Sequence, residues 1–95
     1  MNFPKFGNCI NNSTVLEAGL SQTFLPSNPD RAYVIIQNNG SCDCTLTLGE
    51  NSDFGKGIII KPGGNYEITC LNLYVGVLSA IAEFNCEISY SECVS

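Results

Sequence analysis

The sequence predicts an all-β fold, a small antiparallel β-sandwich or jelly-roll-like barrel of seven to eight short strands. Three observations predict it. From Thr14 onward side chains alternate between apolar and polar with a period of two. Gly, Pro, Asn and Ser interrupt that alternation at short, regular intervals, and no stretch carries a helical apolar period. So many short strands in 95 residues cannot cover their own apolar face as one open sheet, so two packed sheets or a small barrel is the economical arrangement.

Residues 1–12 are polar and interrupted by Pro4 and Gly7, and read as an N-terminal arm; the β-sandwich domain then spans 13–95. Thr14 to Ala18 and Thr23 to Leu25 form short opening strands. Ala32 to Gln37 is β-branched and apolar on both faces, as expected of a central strand covered on both sides. Cys42 to Leu48 alternates cleanly, with Cys42, Cys44, Leu46 and Leu48 on one face and Asp43, Thr45 and Thr47 on the other. The intervening Asn38-Asn39-Gly40-Ser41 tolerates positive φ and is expected to close a hairpin.

A second hairpin is expected where Gly57 to Lys61 runs into Pro62-Gly63-Gly64, the residue order of a type II turn, and returns as Asn65 to Cys70 with Tyr66, Ile68 and Cys70 inward. Val77 to Phe84 then turns at Asn85 into Cys86 to Tyr90. Between strands, Gly49 to Lys56 is the longest polar loop and is expected to be a mobile contact surface.

The formal charge is −5, and the four cations, Lys5, Arg31, Lys56 and Lys61, are scattered along the chain. No basic stripe is present to neutralise phosphates, so no nucleic-acid partner is expected. The same sign disfavours anionic lipid, and no apolar run approaches the ~20 residues of a membrane helix, so no membrane partner is expected either. Met1 to Gly7 lacks the cationic start and apolar centre of a signal peptide, which points to synthesis in a cytoplasm.

The six cysteines, Cys9, Cys42, Cys44, Cys70, Cys86 and Cys93, allow fifteen pairings, among which sequence does not choose. Cys42, Cys44, Cys70 and Cys86 are read first as buried free thiols, small hydrophobes on the inner face. The alternatives are a disulfide formed outside the reducing cell and a zinc site, the latter disfavoured by the lack of a Cys-x-x-Cys pair. With no histidine in the chain, neither a Cys-His nor a Ser-His pair can be assembled. Glu50 with Asp53 and Glu87 with Glu92 are the carboxylate pairs available for acid–base work, and outward strand carboxylates are usually just solvated. A catalytic centre and a cofactor are therefore not expected.

The run Leu25-Pro26-Ser27-Asn28-Pro29-Asp30-Arg31 followed by the strand Ala32 to Gln37 and Asn38 resembles a recurrent pattern in small structural proteins of tailed bacteriophages. The matching pieces downstream are Leu48-Gly49, Gly57 to Gly64 with its Pro62-Gly63-Gly64, and Gly76 to Ile81. The likeness spans about Thr23 to Tyr90. It implies a small β-sandwich located on a virion. The first expectation is a capsid decoration, or cement, protein that binds the major capsid protein or another virion subunit as a homo-oligomer. A tail or fibre accessory or adhesion module is the alternative. The cysteine count favours a third reading, a disulfide-stapled secreted binding domain. Within the resembling run, Asn28 and Pro29 fix a turn that places Arg31 at the mouth of the central strand, where its fork of donors is expected to tie loop carbonyls or Glu67.

Overall fold

The period-two alternation becomes two four-stranded antiparallel sheets in the computed structural model, which describes residues 6–95. The strands are β1 (Asn8–Leu16), β2 (Gln22–Leu25), β3 (Arg31–Asn38), β4 (Cys44–Leu48), β5 (Ile58–Ile60), β6 (Asn65–Ile68), β7 (Leu78–Ala82) and β8 (Cys86–Val94). One sheet has the order β1-β8-β3-β6 and the other β2-β7-β4-β5. The pairs β1·β8, β2·β7, β3·β6 and β4·β5 are all antiparallel, so the chain is doubled on itself into one long ribbon. Rolling that ribbon brings β3 against β8 and β4 against β7, the strand order of a jelly roll.

Inward-facing residues from both sheets make one core. Leu16, Val34, Ile36, Ile68 and Ile88 come from the first sheet and meet Leu25, Cys44, Leu46, Ile60 and Leu78 from the second. Burying each large aliphatic chain contributes about 1.5–3 kcal/mol. Truncating Leu46, which is fully buried, would cost about 2–5 kcal/mol through the lost contacts and the cavity left behind.

Several sequence expectations are corrected. The expected hairpins at Asn38–Ser41 and at Pro62–Gly64, and the turn at Asn85, all join strands of different sheets; β4–β5 is the connection that stays within one sheet. The turn chemistry itself holds at Gly63, where φ is +80° and Gly64 N–H donates to Lys61 O at 2.8 Å. The turn serves as a corner between sheets because its other groups bond elsewhere: Gly63 N–H donates to Asn38 O and Asn38 N–H to Gly64 O.

The expected arm is shorter than 1–12, since Asn8 to Asn12 already pair with β8; residues 1–5 lie outside the described residues. Those first strand residues are all exposed and, Cys9 and Ile10 apart, are asparagines, so they carry no apolar alternation to be read. β3 lies inside its sheet, yet only one face is fully buried: Val34, Ile36 and Asn38 point in, while Tyr33, Ile35 and Gln37 look outward and are half-buried or exposed. Cys70 is exposed because β6 stops at Ile68 and the chain turns away.

Residues 49–57 lie down on the outer face of the second sheet. Ser79 donates its hydroxyl to Gly49 O at 2.6 Å, Ser52 N–H donates to Ser21 Oγ at 2.8 Å, and Gly55 N–H donates to Thr45 Oγ1 at 3.1 Å. A Cβ at Gly57 would strike the Leu46 carbonyl, so only glycine lets the loop pass so close to β4. This third layer explains why β7 is buried along its whole length and why Thr45 and Ser79 are buried on an outward face.

Candidate functional site

The antiparallel order puts the β2–β3, β4–β5 and β6–β7 connections at one end of the sandwich, beside the start of β1 and the finish of β8. The first of these is a tight turn. Arg31 N–H donates to Asn28 O at 3.1 Å across Pro29 and Asp30, and Asn28 Oδ1 accepts Asp30 N–H at 3.1 Å. Pro29 suits the second turn position because its ring presets φ. The turn delivers Arg31 to the first position of β3, with its side chain fully enclosed.

Four donor contacts hold the guanidinium. Nε donates to Glu92 Oε2 at 2.7 Å, Nη1 to Tyr74 O at 3.0 Å and to Gly76 O at 2.8 Å, and Nη2 to Pro26 O at 2.9 Å. Loop carbonyls are thus among its partners, but the carboxylate is Glu92 and not Glu67. Glu67 faces outward on β6, where it accepts the Tyr33 hydroxyl at 2.9 Å. Burial, then that hydrogen bond to a carboxylate, pushes the Tyr33 phenol up. Asn28 Nδ2 also reaches Glu92 Oε1 at 3.4 Å, so the turn, β8 and the β6–β7 loop meet around the Arg31–Glu92 pair.

The β6–β7 loop is pinned at both shoulders. Asn28 N–H donates to Val75 O at 2.8 Å on one side. On the other, Asn72 Oδ1 accepts Thr69 N–H at 2.7 Å while its amide donates to Glu67 O at 3.1 Å. Between the anchors the loop turns apolar side chains to solvent: Leu71 is 94% exposed and Leu73 49%. Phe6, packed at a tilt against Tyr33 with ring centroids 5.4 Å apart, adds an exposed aromatic at the same end of the first sheet. Two large apolar side chains are thus held in solvent on a backbone anchored at both sides.

The opposite end is organised by Asn38, which is completely buried. Its amide donates to Cys42 O and to Ile60 O, both at 2.8 Å. Its Oδ1 accepts Gly40 N–H at 2.8 Å and the Cys86 thiol at 3.1 Å. One side chain thereby ties the corners β3–β4 and β5–β6 to β8. Gly40 is required, because a Cβ there would sit 2.5 Å from Cys86 Sγ. Gly63 and Gly64 complete the same corner, Gly63 through its positive φ and Gly64 through a backbone approach to Lys61 O.

Cys9 and Cys93, directly opposite one another on β1 and β8, form a disulfide. Cys42, Cys44, Cys70 and Cys86 are free; Cys44 and Cys86 are buried, Cys42 is half-buried and Cys70 is exposed. Burial pushes the Cys44 thiol up to about 12 and the Cys86 thiol up to about 11, the neighbouring sulfurs adding to both. Thiols held protonated in this way are poor nucleophiles and poor metal ligands. No group of three or more potential metal ligands is assembled among the described residues.

Glu50 and Asp53 are both exposed on the overlying loop, and Glu87 and Glu92 fall on opposite faces of β8, one exposed and the other buried. Neither pair forms a cleft with two carboxylates. A shallow cleft of about 140 Å³ on the outer face of the first sheet is lined by neutral side chains, including Asn11, Gln37, Ser89 and Ser91.

Glu92, Asn38 and the β6–β7 leucines carry more of these two ends than the sequence suggested. For Glu92 a signal was present, since the inward period Cys86, Ile88, Tyr90 continues to it. Comparison with protein-family models, with curated proteins and with solved structures gave no match to this chain.

Proposed function

We propose that this protein is a non-catalytic assembly module of a virion, a capsid decoration protein that docks on major capsid subunits and stabilises the shell. The observation that carries this is the β6–β7 loop, whose backbone is fixed by Arg31, Asn28 and Asn72 while Leu71 and Leu73 stand in solvent. A loop ordered before it meets its partner loses little conformational freedom on docking, and leucines that leave water on contact contribute about 25 cal/mol per Å² buried. The jelly roll and the sequence resemblance to phage structural proteins support the same reading by analogy.

The test uses bare shells and purified protein. Wild-type protein binds and raises the temperature at which the genome is released, while the Leu71→Asp/Leu73→Asp variant, with an unaltered melting temperature, does neither. If decorated and bare particles release the genome at the same temperature, cementing is wrong. A tail or fibre location uses the same loop on another subunit, and a cryo-EM map of the particle distinguishes it. The Cys9–Cys93 bond favours a second reading, a secreted binding domain, against which stand four cysteines left free.

A further inference from the structure

Each sheet of an open sandwich has two edges, and unpaired edges are managed in natural proteins by shortness, charge, proline or bulges. Three of the four edges here are managed in that way. β2 has four residues and a register shift between Thr23 and Leu25, β5 has three residues flanked by Lys56 and Lys61, and β6 has four residues including Glu67. β1 is different: nine residues, an unbroken register against β8, and no charge, proline or glycine. Among the described residues no strand pairs with its outer side.

Which backbone groups lie open follows from two observations. Cys9 and Cys93 are opposite one another with Cα atoms 4.0 Å apart, the close spacing of a non-hydrogen-bonded pair. Ser13 N–H, in the same phase, is taken by its neighbour's Asn12 Oδ1 at 2.9 Å and not by β8. Cys9, Asn11, Ser13 and Val15 therefore direct their N–H and C=O groups away from the molecule.

We propose that β1 is a self-association edge, on which a second copy of this chain pairs antiparallel about a two-fold axis at Asn12. With that axis Asn11 faces the second copy's Ser13 and Cys9 faces its Val15, so all the outward groups find partners. The two first sheets then fuse into one of eight strands. The occupant is a second copy because of charge: the chain carries a formal −5, and the uncharged β1 edge is where two such molecules approach with least repulsion. A two-fold contact needs only that one strand complement itself, which a neutral antiparallel strand does. This inference is independent of the capsid reading, since it concerns the protein alone in solution.

Sedimentation of the full chain over a range of concentrations tests it. Wild type is expected to show a monomer–dimer equilibrium. Ser13→Lys, which sets like charges near the axis, weakens association by roughly tenfold or more. Ser13→Pro abolishes it without disturbing the β8 ladder, because the lost N–H points outward.

In a Cys70→Ser background with oxidised glutathione, Asn12→Cys is expected to give an interchain disulfide faster than the control Gln37→Cys on the sheet face. A chain monomeric at every concentration, a dimer indifferent to Ser13→Lys, or equal cross-linking at positions 12 and 37 overturns the proposal.

Discussion

Arg31 Nε donates to Glu92 Oε2 at 2.7 Å inside the end of the sandwich, joining the first residue of β3 to the far half of β8. Among the described residues Glu92 is the only carboxylate the guanidinium meets, and the three carbonyls on its other nitrogens belong to two loops. Arg31→Lys keeps the charge but replaces a planar fork by a single ammonium, which cannot reach Glu92, Pro26 and the β6–β7 loop together. It is expected to cost about 2 kcal/mol, roughly 10 °C in melting temperature for a domain of this size. Glu92→Gln strips the counter-charge from an enclosed cation and is expected to cost more, about 3–5 kcal/mol. Calorimetry of the two variants checks the order, and an unchanged midpoint for either removes Arg31 from its central role.

Alkaline pH probes the buried thiols. An unfolded cysteine loses its proton near 9.0, whereas burial holds Cys86 to about 11 and Cys44 to about 12. The folded state therefore keeps protons that the unfolded state releases. Their contribution is complete below pH 9 and is lost as pH rises from 9 toward 12. Burial also raises Tyr33 and Tyr90 above the usual phenol value, which adds in the same direction. Melting temperature measured between pH 8 and pH 11 is expected to fall more steeply above 9 in wild type than in Cys44→Ala.

Alkylation should discriminate the cysteines without denaturant. Cys70 is exposed and is expected to react first with iodoacetamide at pH 8, while Cys44 and Cys86 react only on unfolding. Peptide mapping by mass spectrometry reads this directly, and early labelling of Cys44 would contradict its burial.

Reduction of Cys9–Cys93 releases a cross-link between residues 84 apart in sequence. Restricting so long a loop in the unfolded chain is worth about 4–5 kcal/mol by chain entropy. The effect is expected to be local as well as global, because Asn8 to Ser13 are mostly exposed and held by little besides the ladder and this bond. Hydrogen exchange on reduction should accelerate along β1 before β3; uniform acceleration would show that β1 has no separate opening.

Gly40→Ala places a methyl 2.5 Å from Cys86 Sγ and 3.1 Å from its Cα. A loss of about 1–3 kcal/mol is expected from the forced shift, and pairing it with Cys86→Ala should recover part of it. Chemical denaturation of the single and double variants checks the recovery.

Where strands lie was legible in the sequence, because the alternation of Cys44, Leu46 or Cys86, Ile88, Tyr90 is a local property of each segment. How they pair was not. The Asn38–Ser41 and Pro62–Gly64 segments have the composition of hairpin turns, and nothing local distinguishes a hairpin from a corner between sheets. The choice is made by Asn38, whose amide bonds Ile60 O, 22 residues away. The site was half legible: the Asn28–Arg31 run announced itself, whereas Glu92 resembled a solvated strand carboxylate until β3 was laid beside β8. The loop at 49–57 has the polar composition of a mobile surface, yet its backbone is held down by Ser21, Thr45 and Ser79.

The doubled ribbon also dictates the order in which the molecule closes. β4 and β5 are neighbours in sequence and, of the paired strands, are separated by the least chain; each later pair, β3 with β6, β2 with β7 and β1 with β8, is brought together by the one before it. Loop-closure entropy therefore favours zipping outward from β4–β5, slowly, as befits a topology made almost wholly of distant partners. On that route β1 joins last, so each newly made chain passes through a stage with β8 bare along the side that β1 will cover.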